Sequence, residues 1–240
     1  GLCPSTPAVA DYLVNLVNDL ANRNQFDSIE LETFDYFYGT GFGWHHQKIH
    51  ADLGPLGEFL LGLCFCTNCR SVANEFDVDV GRARRTVRNT IDAIVDGAVS
   101  SDDAKHWLDD HPTVAAYAAA REHTLEALFG RLAEAADDVD LGYYAGMPEP
   151  GSSWMVGANI EQLADYVDYY VAPVYRSSRE SVVAGYNTVA ESVSDVPVHA
   201  GVLPGHPHVD GGKEVTNIVD GLSAAGAERI AFYNYGLLPN

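Results

Sequence analysis

The downstream half of the chain alternates short apolar runs with longer stretches of helical period. Val139 to Ala145, Val167 to Tyr175, Val196 to Val202 and Arg229 to Tyr235 read as strands. Between them, Ile160 to Tyr166, Ser178 to Val193 and Gly212 to Ala225 read as helices, and Ser177 three residues before Glu180 is a capping-box pattern opening the second. Upstream, Thr6-Pro7 reads as an N-cap and first helical position, with Val9, Leu13, Leu16, Val17 and Leu20 following at helical spacing, and Ser28 to Phe34 is a further strand. Asp35 to Asp110 is long and irregular, with Gly39, Gly41 and Gly43, then Trp44-His45-His46, then three cysteines, then a helical stripe of Val80, Arg84, Val87, Ile91, Ile94 and Val95. A helix starting at His111-Pro112 is expected to bury Val114, Tyr117, Leu125, Leu128, Phe129 and Leu132. Strand and helix in alternation predict an α/β chain whose five strands form a parallel sheet with right-handed crossovers. No Gly-x-Gly-x-x-Gly or Walker-type loop follows any strand, which argues against a nucleotide-binding sheet. The chain opens on a loop and stops just after a strand, so both ends read as cut.

Composition narrows the classes. The 240 residues are 47% hydrophobic, enough for a full core, yet 34 acids face 14 bases for a net charge of −20, with Lys48, Lys105 and Lys213 the only lysines. The acids are spread along helices, which suits a hydrated surface in high salt and predicts a halophilic, salt-adapted source. Nucleic-acid phosphates would be repelled, so that partner is not expected. No apolar run approaches the roughly 18 residues of a membrane helix, so no membrane partner is expected either. The first residue is Gly, leaving room for an upstream piece or a targeting peptide, and reduced thiols favour the cytoplasm.

The four cysteines are Cys3 and the triplet Cys64, Cys66 and Cys69. A Cys-x-Cys-x-x-Cys run with one further cysteine supplies the four thiolates of a tetrahedral zinc site, with no position left for water, so the metal would be structural. Two disulfides or unligated thiols are the alternatives, although a Cys-x-Cys pair is too tight for a relaxed disulfide.

Cys3-Pro4-x-x-Pro7, a helix, a strand ending in Glu32, and then Cys64-x-Cys66-x-x-Cys69 resemble the zinc-bearing (β/α)8 β-galactosidases of glycoside hydrolase family 42. They are also similar to uncharacterised glycosidase-like barrel proteins that share the Cys-Phe-Cys-x-x-Cys run. The likeness covers about the first 75 residues. It implies a TIM-barrel type fold seen as a partial barrel, about the last five strands, within one domain over 1–240, with a zinc-binding and helical insertion at about 35–110 after the first strand. It implies one structural zinc on all four cysteines and Glu32 as a catalytic acid. Two departures bear on activity: the family's glutamate follows an asparagine where Leu31 stands here, and the family's strand-seven glutamate nucleophile has no counterpart in Val196 to Val202.

In a parallel barrel the strands' C-terminal ends form the site. Glu30 and Glu32 share a strand face, which costs least if it looks into the lumen, where a partly desolvated Glu32 would serve as proton donor. Glycoside hydrolysis needs a second carboxylate, for which Asp35 and Glu149 are the candidates. Trp44, His45, Tyr175, Arg176, His199, Tyr233 and Asn234 are the expected substrate-binding residues, with Tyr36, Tyr38 and Trp154 as further aromatics for sugar faces. His45-His46 with His50, and His206-x-His208-x-Asp210, have spacings that suit a second metal. The expected function is carbohydrate hydrolysis by general-acid catalysis from Glu32. The rival is a non-catalytic carbohydrate-binding or interaction protein on the same zinc-clamped scaffold, and a homo-oligomer would cover open barrel edges.

Overall fold

The computed structural model describes residues 2–23, 25–36, 53–100, 104–146, 150–193, 195–205, 209 and 211–233. Glu149, Trp44, His45, His46, His50, Tyr38, Asn234, His206, His208 and Asp210, all named above, lie outside the described residues.

The element order is α1 (Pro7–Ala21), β1 (Ser28–Leu31), α2 (Gly54–Gly62), α3 (Thr67–Glu75), α4 (Val80–Val95), α5 (Ala104–Asp109), α6 (Pro112–Ala136), β2 (Asp140–Tyr144), α7 (Ile160–Leu163), β3 (Tyr169–Pro173), α8 (Arg179–Ala190), β4 (Val198–Val202), α9 (Gly212–Ala224) and β5 (Ile230–Phe232). The strands are shorter than the apolar runs predict, for local reasons. The β1 run expected to reach Phe34 stops early because Thr33 turns left-handed at φ 63°, a conformation no ladder residue can hold. The Val196 run starts late because Pro197 has no N–H to give the sheet. The cap of α8 is Ser178, not Ser177: its hydroxyl accepts the Ser181 N–H at 3.2 Å.

Among the described residues, the stretch that reads as irregular between Asp35 and Asp110 carries four helices. Asp79 caps α4 by accepting the Arg82 N–H at 2.8 Å, while α2 has Pro55 in its first turn. Of the α4 stripe only Val87 is buried, beside Ala83 and Thr90, and Val95 is exposed. In α6 every expected core residue, Val114, Tyr117, Leu125, Leu128, Phe129 and Leu132, is buried.

The five strands form a parallel half-barrel sheet in the order β1-β2-β3-β4-β5. Strict sequential order is the barrel's winding; a doubly wound sheet would reverse it. Alternation along paired strands sorts the side chains into two faces. Ile29 and Leu31, Leu141 and Tyr143, Tyr170 and Ala172, and Val198 and Ala200 share one face and are buried. Helix α8 packs on β3 and β4, turning in Val182, Tyr186 and Val189, and the Tyr186 hydroxyl donates to the Val198 carbonyl at 3.1 Å. The opposite face carries Glu30, Gly142, Tyr144, Tyr169, His199 and Gly201.

The chain divides into two compact units. The first comprises 1–16, 33–131 and 154–158, and holds α2 to α5 with most of α6; the second comprises 17–32, 132–153 and 159–240, and holds the sheet with α7 to α9. Among the described residues no helix is long and apolar enough to cross a membrane.

Candidate functional site

Two clusters stand out, one in each unit. In the first unit, Cys3 sits in the turn before α1, where its carbonyl accepts the Thr6 N–H at 3.0 Å. Cys64 and Cys66 lie in the extended link between α2 and α3, and Cys69 in the first turn of α3. Cys66 is the N-cap of α3, its sulfur accepting the Cys69 N–H at 3.5 Å. The Cys3 and Cys69 sulfurs are 3.3 Å apart, those of Cys3 and Cys66 3.7 Å, and all four ligand atoms fall within 4.8 Å of one another.

These spacings fit a metal and not a disulfide. A disulfide needs about 2.0 Å, and all four cysteines are free thiols. Four sulfurs placed tetrahedrally at about 2.3 Å from a zinc ion would stand about 3.8 Å apart, which the observed separations bracket. Proton sharing makes the same point. Hydrogen bonds from Cys3 and Cys69 hold the Cys64 thiol far below its usual range, while hydrogen bonding with Cys64 pushes Cys3 up to about 11 and bonds to Cys3 and Cys64, with burial, push Cys69 up. One sulfur ionises at its neighbours' expense; a divalent cation would let all four do so.

The surrounding groups hold the backbone in place. Asn68 Nδ2 donates to Thr6 Oγ1 at 2.9 Å, tying α3 to the turn that carries Cys3. The Cys69 thiol reaches Ser5 Oγ at 3.4 Å, and Ser5 in turn hydrogen-bonds the Tyr36 hydroxyl. From α6, the Tyr117 hydroxyl donates to the Cys64 carbonyl at 2.6 Å while its ring stacks on Phe65 at 4.4 Å.

The second cluster occupies the polar face of the sheet. Glu30 and Glu32 are both exposed, Glu32 just past the end of β1, so the expected desolvation is not found. Beside them the Tyr169 ring lies across Gly142, and its hydroxyl donates to Glu30 Oε1 at 3.3 Å. His199 packs on Tyr169 with ring centres 4.3 Å apart, and Tyr175 stacks on Tyr233 at 5.4 Å. Burial, then the negative charge of Glu30, raises the Tyr144 phenol; burial, then Glu32, raises that of Tyr175, so both rings sit within reach of the carboxylates. His199 is pushed below its ordinary value by burial and then by Arg229, partly offset by Glu30.

Of the residues expected to bind substrate, Tyr175, His199 and Tyr233 therefore lie on the same face as Glu32. Arg176 does not: it lines a small cavity on the helix side with Val174, Val182, Val202, Ile218 and Phe232. Asp35 belongs to the first unit, as do two of the aromatics. Trp154 packs on Phe59 at 5.0 Å and Tyr36 is buried, so the packing of that unit accounts for both. Tyr144, Tyr169 and Arg229 belong to the face but escape a reading of strand ends alone. Period-two alternation within each run, laid against the parallel register, would have found them.

No protein-family model, no curated protein and no solved structure matches the chain.

Proposed function

We propose that the polar sheet face binds a carbohydrate, on a glycosidase-like scaffold whose first unit is clamped by one structural zinc ion on Cys3, Cys64, Cys66 and Cys69. The observation that carries the reading is the gathering of Glu30, Glu32, Tyr144, Tyr169, Tyr175, His199 and Tyr233 on the sheet face opposite the buried apolar one. Flat rings seat the apolar faces of a sugar, and carboxylates and an imidazole accept or donate hydrogen bonds to its hydroxyls. With four thiolate ligands the metal keeps no open position and supplies cross-linking rather than chemistry.

Hydrolysis with Glu32 as general acid is the second reading, favoured by its place at the C-terminal end of β1. Two features rank it behind binding. Glu32 is exposed, and among the described residues β2 to β5 bring no carboxylate to the C-terminal half of this face, where they place Tyr144, Tyr175, Gly201 and Tyr233. Glu30, its neighbour on the same face, is about 6.6 Å along the same strand, not across a scissile bond.

The test is a titration of the zinc-loaded chain with a panel of oligosaccharides, run beside turnover of nitrophenyl glycosides, for wild type, Glu32→Gln and Tyr175→Ala. Binding that Tyr175→Ala weakens, with no turnover by any protein, is the expected result. Turnover abolished by Glu32→Gln would install hydrolysis instead, and saturable binding by none of the three proteins would remove both readings.

A further inference from the structure

Arg121 is the most deeply buried charged side chain among the described residues, 2% exposed, and its position is hard to explain by what it touches. Its Nη2 reaches the Gly62 carbonyl at 3.5 Å and its guanidinium lies 4.4 Å over the Tyr36 ring. Nε and Nη1 have no hydrogen-bond partner among the described residues, and no carboxylate pairs with it. A full positive charge buried with two unsatisfied donors should be strongly destabilising unless something negative lies close by.

What lies close by is the cysteine cluster. Arg121 is one turn after Tyr117 on α6, so both occupy one helix face. Tyr117 bonds the carbonyl of Cys64, and Arg121 bonds that of Gly62, two residues upstream at the end of α2. The guanidinium is near enough to feel the charges of both Cys69 and Cys64. A divalent ion held by four thiolates carries two net negative charges, and in a half-buried site a nearby cation stabilises that charge. No other arginine or lysine is buried among the described residues.

We infer that Arg121 is the built-in counter-charge of the four-cysteine metal site: a positioning residue that touches no ligand sulfur by hydrogen bond but sets how tightly, and in what charge state, the metal is held. The inference rests on the proposed metal reading. It accounts for a buried guanidinium whose Nε and Nη1 find no hydrogen-bond partner and that forms no ion pair with a carboxylate among the described residues. The cation–π contact with Tyr36 then orients the guanidinium instead of neutralising it, and the Tyr36–Ser5–Cys69 chain of contacts fixes that ring against the site.

The experiment measures Zn(II) affinity of the full chain by competition with a chromophoric chelator, together with the gain in melting temperature on adding Zn(II). It compares wild type, Arg121→Met and Arg121→Lys. Loss of the charge should weaken Zn(II) binding by about 10-fold or more and shrink the metal-dependent gain in melting temperature, while Arg121→Lys stays within about 3-fold of wild type. A purely structural role would lower the melting temperatures of the metal-free and metal-loaded forms equally and leave affinity unchanged, which overturns the inference. So would equal losses in Arg121→Met and Arg121→Lys, because shape and not charge would then be responsible.

Should Arg121→Met not fold, Arg121→Gln is used in its place, both in the wild-type chain and in a Cys66→His background, where the site carries one negative charge fewer. There removal of Arg121 should cost clearly less affinity than Arg121→Gln does in the wild-type background; an equal cost refutes the charge argument. Failure of the wild type itself to bind Zn(II) would instead refute the metal reading on which the inference stands.

Discussion

Gly142 is the residue on which the geometry of the polar face turns, and Gly142→Ala tests that geometry directly. In the register it stands between Glu30 on β1 and Tyr169 on β3, and a methyl group added there would lie 2.3 Å from Tyr169 Cε2, 2.4 Å from Cζ and 2.8 Å from the hydroxyl. Carbon atoms in contact prefer about 3.5 to 4.0 Å, so the ring must move by more than 1 Å. It has little room to do so, being 4% exposed and packed against His199 on its other side. Overpacking of this kind costs about 1–3 kcal/mol. In a chain of this size each kcal/mol is worth roughly 2–4 °C, so the expected fall in melting temperature is about 2–12 °C. Gly212→Ala is the control, since nothing lies within 4 Å of its added methyl group, and it should leave stability unchanged or slightly raised. The decisive assay is a double-mutant cycle by thermal melting: in a Tyr169→Ala background the Gly142→Ala penalty should vanish. A melting temperature for Gly142→Ala within about 1 °C of wild type would mean that the ring does not cover Gly142, and the arrangement of Glu30, Tyr169 and His199 would fall with it.

Three further outcomes are expected. Cys69→Ser should abolish stoichiometric Zn(II) binding, measured as metal per chain after dialysis, and should make the segment before α1 cleavable by protease, as chelation should in the wild type; retained stoichiometry would exclude Cys69 as a ligand. Tyr170→Phe removes a buried hydroxyl that donates to the Ile160 carbonyl at 2.6 Å and should cost about 1–3 kcal/mol in urea unfolding, since the carbonyl is left unpaired; a change under about 0.3 kcal/mol would refute the bond. His199 has a pKa in the folded chain below its ordinary 6.5, so the unfolded chain binds the proton more readily and stability falls as the pH drops below 6.5. His199→Gln should flatten that acid limb of a melting-temperature profile, and an unchanged limb would place the titration elsewhere.

The sheet was legible because β2 to β5 lie in short, mostly apolar runs that alternate with stretches of helical period. The residues that end them were legible only in part: Pro197 could be seen to lack a donor, whereas the left-handed turn at Thr33 depends on tertiary contacts that no local pattern announces. The stretch from Asp35 to Asp110 looked irregular because α2, α3 and α5 are short and α2 carries glycines at both ends and in its middle, so that its Leu56, Phe59 and Leu60 stripe spans barely more than one turn. In the candidate site the cysteines announced themselves by spacing alone. The tyrosines did not, since Tyr169 and Tyr170 are adjacent in sequence yet belong to opposite faces, one over Gly142 and one toward Ile160. Arg121 gave no signal at all: within an acidic chain it reads as one more helix-surface arginine until the fold buries it.

The cysteine cluster also explains how the turn ahead of α1 can be held in place. Joining Cys3 to Cys69 closes a loop across 66 positions, and the chain entropy of such a closure scales as (3/2)RT ln n, about 4 kcal/mol here. Against this the protein's own links between that end and the rest of the first unit are few. The Asn68–Thr6 and Ser5–Tyr36 hydrogen bonds contribute about 1 kcal/mol each. The Arg131–Asp11 ion pair, 2.7 Å long but exposed on both sides, contributes less than about 1 kcal/mol. Of residues 2–6 only Pro4 is buried, so apolar packing adds little. These contacts therefore fall short of the closure cost or barely match it, and the proposed metal, with four metal–sulfur bonds, would tip the balance. The same accounting gives a reason for one cysteine standing so far from the other three: Cys64, Cys66 and Cys69 could pin only their own link, and Cys3 would turn the proposed metal site into a clasp across the unit.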